Sequence, residues 1–226
     1  MGVGQVFTSF AHAQGVQDFV VTNFSAEYLL TNEDPQGKLV ITENIAVNFE
    51  AQNRGIFRAI PKEYKDNDLH IAIQDVERNG NKEPFITYEE NGNEVLRIGE
   101  ETTFITGEQT YLIRYSVENV ITFYDEYDEL FWDVNGDQWL QPFENVSAKV
   151  ITQATVTTPT AVCFTGEFGS TGEDCVIETL GNGLEAATTE RLTPGETLSF
   201  AQAYAKGYFT PETWLEQNWQ LLAVLP

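Results

Sequence analysis

A chain of 226 residues with 12 Lys plus Arg against 35 Asp plus Glu carries a formal net charge of −23. That acidic excess repels phosphate backbones and anionic lipid headgroups, which argues against nucleic acid and against an anionic membrane surface as partners of this domain. Hydrophobic content of 42% and only eight prolines exclude wholesale disorder and collagen-like repeats, and a chain of this length hides roughly 70% of its extended surface on folding.

Near the N-terminus, Ala11-His12-Ala13 has the small-x-small spacing that a signal peptidase cleaves, here before Gln14. Residues 1–14 read as the remnant of an export signal or as added sequence. Residues 15–210 follow as one β-rich domain. Val20, Phe24, Ala26, Tyr28 and Leu30 begin its apolar alternation, and Leu39 to Phe49 continue it with every odd position apolar except Glu43. Leu69, Ile71 and Ile73 repeat the pattern, as do Tyr111, Ile113, Tyr115 and Val117, and then Leu198, Phe200 and Tyr204. Asp34-Pro35-Gln36-Gly37, Asn79-Gly80 and Asn91-Gly92 supply turn chemistry between such runs. The expectation is an all-β chain forming an antiparallel β-sandwich.

Glu43 occupies the apolar face of its strand, where an ionised carboxylate needs a cation and hydrogen bonds. Arg54 and Arg58 are the nearest candidates, and Arg58 is preferred because Ile56, Arg58 and Ile60 alternate on one face. The pattern predicts a buried structural ion pair between Glu43 and Arg58, not a catalytic acid.

Between Tyr124 and Trp139 the sequence is acidic and aromatic. Asp133, Asn135 and Asp137 match the first three ligand positions of a calcium loop, and Glu144 stands at the twelfth. Gln138 stands where such a loop wants glycine, and the flanks are not helical. The competing reading is a hairpin turn at Asn135-Gly136 between strands that pack Trp132 and Trp139 inward. Calcium is the one cofactor with any motif.

Cys163 and Cys175 are separated by a Gly- and Ser-containing connector that lets their sulfurs meet. A disulfide is the preferred reading, worth about 2–3 kcal/mol by loop closure, with two reduced thiols as the alternative. Zinc would need ligands that two cysteines and His12 and His70 do not supply. His70 is placed on the outer side of its strand, Gly166, Gly169 and Gly172 lack the context of a phosphate cradle, and no catalytic residue is assigned. Beyond Thr210, Pro211 starts a short helix over 211–226, carrying Trp214, Leu215, Trp219 and Leu222, that leads towards a membrane segment.

Several motifs fall in one order: LVITENIAVNF at 39–49, RGIFRAIP at 54–61, Arg97-Ile98-Gly99, Thr106-Gly107 with YLIRY at 111–115, and ELFWDVNGDQW at 129–139. Cys163 to Cys175, Leu192-Thr193-Pro194-Gly195-Glu196 and Lys206-Gly207-Tyr208-Phe209 follow. Over roughly residues 18–210 this resembles the domain-of-unknown-function 2207 family. The resemblance implies a predicted membrane protein with an exported, β-rich N-terminal domain anchored by later helices, and it implies no chemistry. Two functions follow as expectations. The first is a non-catalytic extracytoplasmic module that binds a cell-surface protein or glycan, or senses the envelope, alongside the rest of its own membrane-anchored chain. The other is an extracellular glycan hydrolase using a pair of carboxylates.

Overall fold

The structure is a computed structural model that describes residues 19–65, 67–153, 161–211 and 213. Among them no helix occurs, and in particular none long and apolar enough to cross a membrane. The strands run β1 (Phe19–Thr31), β2 (Lys38–Asn53), β3 (Ile56–Pro61), β4 (Glu63–Tyr64), β5 (Asn67–Asp68) and β6 (His70–Arg78). Next come β7 (Asn81–Lys82), β8 (Phe85–Glu90), β9 (Asn93–Ile98), β10 (Ile105–Glu118), β11 (Ile121–Phe123) and β12 (Tyr127–Asp133). The last are β13 (Val146–Thr152), β14 (Ala161–Gly166), β15 (Cys175–Leu180), β16 (Gly183–Thr188) and β17 (Thr197–Ala205).

One eight-stranded sheet, in the order β15-β16-β13-β1-β2-β10-β6-β7, forms the base of the molecule. A four-stranded sheet, β11-β12-β17-β14, and a three-stranded sheet, β3-β9-β8, pack on it. Across the first interface Tyr28 of β1 meets Trp132 of β12 and Phe200 of β17 edge to face, at 6.2 and 5.8 Å. Ile56, Ile60, Leu96 and Ile98 bury the inner face of the smaller sheet. The all-β expectation holds, with one departure from a purely antiparallel arrangement. β1 and β13 run parallel, Phe24 opposite Val146 through Leu30 opposite Thr152, because a long excursion through the other sheets separates them in the chain.

Alternation positions the core strands well. Leu39, Ile41, Ile45, Val47 and Phe49 are all buried on one face of β2, and Tyr111, Ile113, Tyr115 and Val117 on β10 beside it. At the start of β1 the inward residues are Phe19 and Val21 instead of Val20. A register irregularity between Val21 and Asn23 inserts one residue, which reverses the inward phase before Phe24. The turns behave as their residues dictate: the Gly37 amide donates to Asp34 O at 2.9 Å, and the Asn79-Gly80 and Asn91-Gly92 pairs take positive φ at both positions.

Glu43 and Arg58 are brought together inside the fold, 0% and 1% exposed respectively. The guanidinium donates from Nε to Oε2 at 2.9 Å and from Nη2 to Oε1 at 2.7 Å, and Tyr115 Oη donates to Oε1 at 2.6 Å. Residues 1–14 lie outside the described residues. So does the helix predicted over 211–226, apart from Pro211 and Thr213, which carry no regular structure. The chain is held at its last strand exit by the Thr210 amide, which donates to Pro35 O at 2.8 Å.

Candidate functional site

Along β12 the side chains of Asp128, Leu130 and Trp132 point into the core, which leaves Tyr127, Glu129, Phe131 and Asp133 on the outer face. Pairing across the four-stranded sheet sets these beside residues distant in sequence. Asp133, Ser199 and Phe164 lie abreast, and Phe131, Ala201 and Val162 form the next row. The small side chains of Ser199 and Ala201 make a floor between two ridges. The β4–β5 hairpin closes one side, with Tyr64 stacked on Phe131 at 4.8 Å and an interplanar angle of 3°. The loop after β14 closes the other. The result is a cleft of about 520 Å³.

That loop is built to project a side chain. Thr165 N donates to Gly172 O at 2.8 Å, Ser170 Oγ to Thr165 O at 3.0 Å, and Asp174 N to Thr165 Oγ1 at 3.1 Å. Gly166 and Gly169 adopt φ of 120° and 82°, which other residues resist. Cys163 on β14 is disulfide-bonded to Cys175 on β15 at the loop's base, with the Cα atoms 6.3 Å apart, so one cross-link joins the edges of two different sheets. Phe168 sits at the tip, 90% exposed.

Charge in the cleft is lopsided. Glu63, Asp133, Asp137 and Glu167 line it, and Lys65 is the one cation among its described lining residues. Lys65 is already engaged, its ammonium 3.1 Å from Glu129 and in contact with the Tyr124 hydroxyl. Burial pushes the Asp133 carboxyl above its ordinary range, and nearby Asp137 adds to the effect, while a hydrogen bond from Ser199 Oγ opposes them.

The calcium-like residues do not assemble as a ligand set. Asn135 is fully buried and its carboxamide is spent on the protein: Oδ1 accepts from Leu198 N at 2.9 Å and Thr197 Oγ1 at 3.1 Å, and Nδ2 donates to Glu196 O at 2.9 Å. Glu144 is exposed, on a segment whose amide bonds Val21 O of β1. Among the described residues no group of three or more His, Cys, Asp or Glu could hold a metal ion. The chain bends at Val134 and Asn135, with Gly136 at φ 73°, and Trp132 and Trp139 are buried. The bend is not a hairpin, since β12 pairs with β11 and β17. His70 is exposed on β6.

Arg58 links the buried pair to this site. Its Nη2 donates to Val134 O at 3.2 Å and its Nη1 to Asn135 O at 3.1 Å, so the Glu43–Arg58 pair fixes the bend between Asp133 and Asp137. Motif reading missed Tyr64, Phe131, Phe164 and Phe168 as site residues. A phenylalanine between the glycines of a polar connector was the visible signal. A larger hollow of about 670 Å³ on the outer face of the eight-stranded sheet has no aromatic lining, and its Lys149 and Glu185 neutralise each other at 2.6 Å.

The chain belongs to the family described as predicted membrane protein (DUF2207), N-terminal domain, whose model matches residues 22–202. Uncharacterized protein YciQ of Escherichia coli (strain K12) is similar, 32% identical over 120 residues that cover 49% of this chain and 18% of YciQ. The chain therefore aligns with less than a fifth of that relative's length. Among solved structures, yeast LTA4 hydrolase in complex with bestatin matches with a TM-score of 0.52 and 10% identity, over 88% of this chain and 31% of the hydrolase. The native yeast enzyme gives 0.50 and 10% over 83% and 29%. At such identity the likeness is one of fold, and none of that enzyme's chemistry transfers.

Proposed function

We propose that this chain is an extracytoplasmic, non-catalytic binding domain of a membrane-anchored protein, and that its acidic and aromatic cleft receives a component of the cell envelope. The observation that carries the reading is Phe168, held in solvent on a hydrogen-bonded, disulfide-framed loop that closes the cleft opposite the Tyr64 and Phe131 stack. An ordered loop that presents a bare aromatic ring has met the ordering cost of binding in advance, and covering the ring yields about 1.5–3 kcal/mol. The family's description as a predicted membrane protein supports the anchoring, and the disulfide supports an oxidising compartment.

The test is a binding panel of purified peptidoglycan fragments and synthetic surface-protein peptides against the wild-type domain and Phe168→Ser. At least one class binds saturably and loses tenfold or more in affinity in the variant. Binding that is indifferent to Phe168, or none with either class, would overturn the cleft assignment. Turnover of a glycan that disappears in Asp133→Asn would instead establish the hydrolase.

A further inference from the structure

Resting on that reading, we infer that the cleft takes an arginine or lysine side chain from an extended segment of another protein, with apolar neighbours of that side chain seated against Phe131, Phe164 and Phe168. Three observations lead there. The lining carboxylates Glu63, Asp133, Asp137 and Glu167 face one cation, Lys65, whose charge is already matched by Glu129. An incoming guanidinium or ammonium supplies the missing charge, and a planar guanidinium in particular can pair with a carboxylate while lying on an aromatic ring.

The walls also select. Phe131, Phe164 and Phe168 offer apolar area and a π-face for the aliphatic stem and planar head of such a side chain, and the Ser and Thr hydroxyls between them leave room for its polar atoms. Among the described residues the tryptophans, Trp132 and Trp139, are buried in the core and form no sugar platform in the cleft. A phosphorylated or uronic polymer would meet the full acidic excess of the chain. Finally, the cleft does not stop at one residue. Past the Phe131–Ala201–Val162 row the same face continues as a groove of about 560 Å³, floored by Ala201 and Ala203 and edged by Glu129 and Val162. Space for a chain running along β17 suits a peptide with a basic residue at one end of the groove and an apolar one beyond it. The burial of Asp133 adds to the selectivity, since its carboxylate gains most from a cation brought within reach.

The experiment uses a blocked pentapeptide, Leu-Arg-Leu-Arg-Leu, and its counterpart with citrulline at both arginines, titrated calorimetrically into the domain at physiological salt. The arginine peptide binds saturably and the neutral isostere at least tenfold more weakly. Asp133→Asn and Phe168→Ser each weaken the arginine peptide at least fivefold. Glu89→Gln with Glu90→Gln, which removes two charges from the exposed β8 edge, leaves it unchanged. Phe168 is in solvent, and the carboxamide introduced by Asp133→Asn keeps an oxygen that accepts from Ser199, so both cleft variants fold, and thermal melts verify this. Equal losses in the Glu89/Glu90 variant would mean diffuse charge attraction and overturn the inference. Equal binding of the citrulline peptide, or no binding of either peptide, would do the same. If peptidoglycan fragments bind and depend on Phe168 while neither peptide does, the inference fails and the binding-domain reading stands; if neither class engages the cleft, both fall.

Discussion

Arg58 grips Glu43 with two nearly parallel hydrogen bonds and, with its remaining donors, holds the main-chain carbonyls of Val134 and Asn135. Three sheets therefore meet at one guanidinium: β2 supplies the acid, β3 the base, and the exit of β12 the carbonyls. Gly136 completes the arrangement, because a Cβ there would stand 3.2 Å from Arg58 Nη1.

Removing either member leaves a charge stranded in the core. Arg58→Met leaves Glu43 with only the Tyr115 hydroxyl and costs about 3–5 kcal/mol. Glu43→Gln keeps one acceptor and costs about 1–3 kcal/mol. The Glu43→Leu, Arg58→Met pair is less damaging than the sum of its single changes. Urea unfolding of wild type, Glu43→Leu, Arg58→Met and the double variant measures this coupling.

A second expectation concerns metal. Because Asn135 Oδ1 accepts two protein hydrogen bonds at 2.9 and 3.1 Å, millimolar calcium leaves the melting temperature unchanged. A calcium-dependent rise that vanishes in Asp137→Asn would contradict this. Asn135→Ala, by contrast, strands the Leu198 amide and destabilises by about 1–3 kcal/mol whether or not calcium is present.

The pH dependence follows from Asp133, whose folded-state pKa lies above its unfolded value. Its neutral form is favoured by the fold, so that contribution to stability is fully present below the unfolded pKa and is lost as pH rises through the folded one. Asp133→Asn does not suffer the loss. The variant melts higher than wild type at pH 7, and the difference closes as the pH falls below the ordinary carboxylate range. Differential scanning calorimetry as a function of pH reads it directly.

Reduction of the Cys163–Cys175 bridge removes the tie between β14 and β15. Loop-closure entropy puts the loss at about 2–3 kcal/mol. Amide exchange of residues 166–172 then accelerates more than that of β2 or β10, whose bonds lie in the centre of the large sheet. Equal acceleration everywhere would show that the bridge acts on global stability alone.

Much of the fold is legible in the amino-acid sequence. Period-two alternation locates β2 and β10, and the single acid on the inner face of β2 points to Arg58. Alternation fails where its phase is broken by an inserted residue, as between Val21 and Asn23, and it says nothing about which strands become neighbours. The cleft depends on that neighbourhood: Phe131 and Phe164 are 33 positions apart in the chain and meet only because β17 lies between β12 and β14. The calcium spacing misleads for a related reason. Asn135 binds the backbone of residues 196 and 198, a partner that no local motif displays.

The most direct test of the account is a map of amide chemical shifts in the ¹⁵N-labelled domain during titration with Leu-Arg-Leu-Arg-Leu. Perturbations confined to residues 131–137, 164–171 and 199–203 are the predicted result. Shifts centred on the outer face of the eight-stranded sheet or on the β8 edge, or no shifts at saturating peptide, would contradict it.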